Sequence, residues 1–125
     1  MAAPLLITGS AYEDSGVTIM ARITGLDGAV ITQGSISTIT CAVFDPTGAS
    51  VATPTVVVAD SVFDALQTDA RWTVDSTGYN FRYDVAASVM ATGDKTYRFE
   101  FKFTPSSGEV FFVVAQIHAY DVLTS

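Results

Sequence analysis

Two short segments fix most of what this chain is able to become. In GYNFRYDVA (78–86), Tyr79, Phe81, Tyr83 and Val85 hold alternate positions, and in KTYRFEFKFT (95–104) Tyr97, Phe99, Phe101 and Phe103 do the same. A period of two is the mark of a strand with one buried face. Between the rings stand Arg82, Asp84, Arg98, Glu100 and Lys102, which belong in water. Aromatic side chains cover a large area each, so two such ladders are suited to filling the space between two packed sheets. Both ladders are therefore expected to point inward.

The rest of the chain reads as further strands between turns. GVTIMARI (16–23) places Val17, Ile19, Ala21 and Ile23 on one face, and SISTITCAVFD (35–45) does so with Ile39, Cys41 and Val43. DPTG (45–48) suits a type I turn into ASVAT (49–53), and TVVVAD (55–60) reads as a short strand buried on both faces. PSSG (105–108) turns the second ladder into EVFFVVAQIHAYDVL (109–123), apolar on both parities. A central strand, or an edge strand covered by another subunit, has that pattern. Only SVFDALQTDARWTVDST (61–77) has helical spacing, with Val62, Phe63, Leu66 and Ala70 on one side and Ser61 placed to cap. The expected fold class is all-β: an antiparallel two-sheet β-sandwich over 16–123 with at most one short helix, around 61–70. An N-terminal arm, 1–15, precedes it.

Composition excludes several functions. Of 125 residues, 49% are apolar and 15% charged, with 13 acids against 6 bases for a net charge of −7. The bases are spread along the chain, whereas phosphate recognition needs them clustered, so direct nucleic-acid or anionic-membrane binding is not expected. No stretch approaches the ~20 apolar residues of a membrane span. The opening MAAPLLITGS has no basic n-region, which predicts a soluble chain without a signal peptide. The single cysteine, Cys41, lies in an apolar run and is expected in the core.

Catalytic chemistry finds few footholds. Any Ser-His-Asp or Cys-His site would have to use His118, the one histidine, which shares a strand face with Gln116 and Tyr120. One histidine and one distant cysteine do not make a zinc site. Asp60, Asp64, Asp69 and Asp75 cluster loosely in sequence but lack an EF-hand pattern. No cofactor, no metal and no enzymatic activity are expected. The candidate interface residues are instead apolar: Pro4, Leu5, Leu6 and Ile7 in the uncharged run AAPLLI, Tyr120 on the last strand, and Trp72 in DARWTVDSTG. Trp72 either anchors an interface, stacks on a sugar together with Tyr12, or plugs one end of the sandwich.

The segments ITCAVFDPTGASVATPTVVV, WTVDSTGYNFRYDV and ATGDKTYRFEFKFTPSSGEVFFV carry a resemblance across about residues 35–120. This part of the chain resembles immunoglobulin-like β-sandwich domains in virion proteins of tailed bacteriophages, such as baseplate upper-protein N-terminal domains and capsid-decorating domains. Tyr97 is similar to the tyrosine near the start of the penultimate strand in such sandwiches. The disulfide and core tryptophan of antibody domains have no counterpart, since Trp72 lies in the wrong kind of segment. The resemblance implies a non-enzymatic virion structural protein, a capsid decoration (cement) protein or a head–tail connector component. It would reside in the virion and dock on capsid or connector subunits and on copies of itself. An extracellular adhesion or carbohydrate-binding module is the alternative that the residues leave open.

Overall fold

The computed structural model describes residues 5–25 and 27–123. Its strands are β1 (Leu5–Tyr12), β2 (Val17–Ala21), β3 (Ile36–Phe44), β4 (Ser50–Ala52), β5 (Thr55–Val56), β6 (Val62–Gln67), β7 (Tyr79–Val85), β8 (Lys95–Pro105) and β9 (Phe111–Tyr120). One sheet runs β1-β9-β8-β3-β4, with β5 also on β3, and the other runs β2-β7-β6. The two sheets form a β-sandwich, with the last, penultimate and third strands adjacent in one layer. No helix among the described residues is long and apolar enough to cross a membrane.

The ladders meet between the layers. Phe81 of β7 packs edge-on against Phe101 and Phe103 of β8 in the opposite sheet, with ring centroids 5.1 and 5.2 Å apart. Tyr83 is half-buried and lies 5.6 Å from Phe101. Phe103 stacks on Phe111 across the β8–β9 hairpin at 4.9 Å. Ile19, Ala21, Ile39, Cys41 and Val43 complete the buried cluster from the strands expected to supply them. Tyr79 departs from its ladder. It is buried, yet its ring contacts are Phe63 and Trp72, and it lies outside the inter-sheet cluster.

Two polar devices fix the frame. The Tyr97 hydroxyl donates to the Thr92 carbonyl at 2.9 Å and accepts from the Thr92 amide at 3.2 Å. The arrangement resembles the tyrosine corner of immunoglobulin-like sandwiches, in which the hydroxyl bonds back to backbone a few residues upstream. Asn80 is fully buried and accepts from Ile23 N at 2.7 Å, while its amide donates to the carbonyls of Ile23 and Ile31 at 2.9 and 2.8 Å. A buried amide satisfied in this way pins the excursion between β2 and β3 to β7.

Three expectations need correction. The short helix, α1, spans Val58–Ser61, ahead of the expected 61–70, and the residues read as helical form β6 instead. Val62 faces Phe81 and is buried, while Phe63 carries Arg82 over its ring at 5.3 Å, so the residues alternate as in a strand. The run 55–60 is strand only at Thr55–Val56 before the chain turns into α1. The sandwich is not purely antiparallel: residues 5–12, placed in an arm by the sequence reading, form β1, which pairs in parallel with β9 from Leu5↔Val113 to Tyr12↔Tyr120.

Candidate docking surface

The loop between β6 and β7, residues 68–78, crosses the outer face of the small sheet. Asp69 holds it at one end, accepting from the Tyr79 hydroxyl at 2.8 Å and from Arg71 at 3.0 Å. Arg71 in turn donates to Thr18 on β2 at 3.2 Å. At the other end Asp75 accepts from Trp72 Nε1 at 3.1 Å, from the amides of Thr77 and Gly78 at 3.0 and 3.1 Å, and pairs with Arg22 at 2.8 Å. The Arg71 and Tyr79 donors hold the Asp69 carboxyl down at about 2. The Gly78 amide, Arg22 and Trp72 do the same for Asp75, also at about 2. Trp72 itself is half-buried, its ring 5.6 Å from Tyr79.

Where this loop reaches the rim, β1 and β2 run as the neighbouring outer strands of the two sheets. Between them lies an open groove of about 360 Å³ lined by Leu6, Ile7, Met20, Arg22, Trp72 and Val74. The structure thus brings together Leu6, Ile7 and Trp72, three residues that the sequence singled out. Leu5 heads β1, and Pro4 lies outside the described residues. Tyr120 stands apart from the groove, on the outer face at the far end of β9, with Tyr12 at 6.3 Å and His118 at 4.6 Å. Sequence reasoning missed Val74 and Phe112, which are 72% and 47% exposed. Phe112 was hidden in a run apolar on both parities, where only the register decides which residue faces out.

A wider surface adjoins the groove. Among the described residues, most of the large apolar side chains left exposed stand on or beside β1 and β9: Leu6, Tyr12, Val110, Phe112, Tyr120 and Leu123. The two strands, 8 and 10 residues long, contain no Asp, Glu, Lys or Arg. The side of these strands that faces away from the core is thus uncharged, on a chain carrying net −7, and mixes Leu6, Tyr12, Phe112 and Tyr120 with Thr8, Ser10, Gln116 and His118.

The chemistry-bearing residues do not converge here. The His118 Nδ1 lies 2.9 Å from Thr96 Oγ1 on the adjacent strand. Cys41 is buried, and burial pushes its thiol up to about 12, far from a reactive thiolate. Among the described residues no group of three or more His, Cys, Asp or Glu gathers closely enough to hold a metal ion. No protein-family model matches the chain, and no curated protein matches it in sequence.

Proposed function

We propose that this chain is a non-enzymatic structural protein of a bacteriophage virion, a capsid decoration protein or a head–tail connector component. It works by laying its β1–β9 side against neighbouring subunits. The observation that carries the reading is the outer side of β1 and β9, free of acids, lysines and arginines and exposing Leu6, Tyr12, Phe112 and Tyr120, on an otherwise acidic sandwich. Burial of apolar area drives association, and charges at the core of an interface oppose it. The tyrosine corner at Tyr97 supports the resemblance from which the virion role is taken. The adhesion alternative gains nothing from Trp72, whose indole N–H is committed to Asp75 and whose ring rests on Tyr79.

The test is the composition of assembled particles. Virions produced from the genome that encodes the chain are purified on a density gradient and quantified by mass spectrometry. The chain is expected at a fixed copy ratio to the capsid or connector proteins, and a Phe112→Asp variant at reduced occupancy. A chain present only in the unassembled fraction overturns the proposal.

A further inference from the structure

The strand β1 is an edge of the large sheet, bonded among the described residues to β9 alone. An edge strand offers unpaired N–H and C=O groups on its outer side, and natural sheets guard such edges with charges, proline or a covering segment. From Leu5 to Tyr12, LLITGSAY, this edge has neither charge nor proline. Arg71–Val74 stand across the groove, but no backbone hydrogen bond joins them to β1. By contrast, the opposite edge is broken into two short strands, β4 and β5, of 3 and 2 residues.

We propose that β1 pairs antiparallel with β1 of a second copy, joining the two large sheets into one across a two-fold axis. The chemistry of the edge selects this occupant. Open backbone groups accept only another extended strand. An uncharged strip on a chain of net −7 disfavours most contacts between copies except at that strip, where like charges do not face each other. β1 of a second copy is an uncharged strand of equal length, and an isologous contact needs the same patch on both sides. A register centred on Gly9 sets Leu6 of each copy opposite Tyr12 of the other, an aliphatic–aromatic cross-strand pair on the exposed face. Both residues are exposed in the single chain, at 60% and 62%. The inference rests on the docking reading but names its first partner, and it can fail separately from the virion assignment.

Sedimentation velocity on the full chain, over a roughly hundredfold range of concentration, is the test. A monomer–dimer equilibrium that stops at two copies is expected. Leu6→Lys and Ser10→Lys place a charge on the strand's exposed face and should shift the population to monomer, with a thermal midpoint that matches the wild type's at concentrations where the wild type is itself monomeric. Val51→Lys on β4 should leave the dimer intact. Amide hydrogen exchange on the unaltered chain gives an independent readout: protection in β1 should rise with concentration while that in β4 stays constant. A wild-type monomer throughout, a trimer or larger ring, or a dimer indifferent to both lysines overturns the proposal. Dimers with no chain in particles would remove the virion role and leave the pairing, and a particle-bound chain monomeric in solution would do the reverse.

Discussion

The hydroxyl of Tyr97 has two partners on one residue, the amide and carbonyl of Thr92, and so fixes how the chain enters β8. Removing it with Tyr97→Phe keeps the buried ring and strands a part-buried amide. The expected cost is roughly 1–3 kcal/mol, seen as a lower urea midpoint at constant slope. A phenylalanine variant as stable as the wild type would mean the corner holds nothing. Asn80 shows the same logic at higher stakes, because all three of its bonds reach backbone. Cys41 shows the opposite case: its neutral thiol acts as a small apolar filler opposite Phe101 in the β3–β8 register.

At the scale of elements, loop 68–78 is held by two carboxylates whose bonds require the charged form. Both Asp69 and Asp75 are lowered from the ordinary 3.8 to about 2, so the folded loop binds protons less readily than the unfolded chain. Their contribution is therefore present above about pH 4 and lost as pH falls toward 2. Both groups are open to solvent, so the loop and not the sandwich should respond. Trp72, the single tryptophan, reports it. Its fluorescence is expected to hold steady above about pH 4 and change toward pH 2, with Asp75→Asn showing a changed spectrum already at neutral pH. Fluorescence flat to pH 2 in both proteins contradicts this. The ties of this loop also show where sequence reading ends. Strands β2, β3, β7 and β8 were legible because alternation is local, and so were the turns at Asp45–Gly48 and Ser106–Gly108. Arg71 to Thr18 and Arg22 to Asp75 each span 53 residues, and no local pattern announces them. The segment 55–67 misled because a helix of four residues leaves no periodic trace, while β6 meets β7 with a register shift between Val62 and Gln67. Parallel pairing of β1 was hidden because LLITGSAY barely alternates. Leu6, Ile7 and Trp72 were legible as apolar residues lacking an obvious core position, but their convergence on one groove was not.

For the whole molecule, the phenylalanines of β7 and β8 hold the two layers together. Phe81 is the wedge between Phe101 and Phe103, and all three are fully buried. Each such ring contributes roughly 1.5–3 kcal/mol by burial, a large part of the 5–15 kcal/mol that holds a typical domain folded. The most direct test is a double-mutant cycle on Phe81→Leu and Phe101→Leu, read by urea unfolding. Rings in contact across the layers predict a coupling of about 1 kcal/mol between the two substitutions. Effects that add to within about 0.3 kcal/mol would contradict an aromatic wedge joining the sheets.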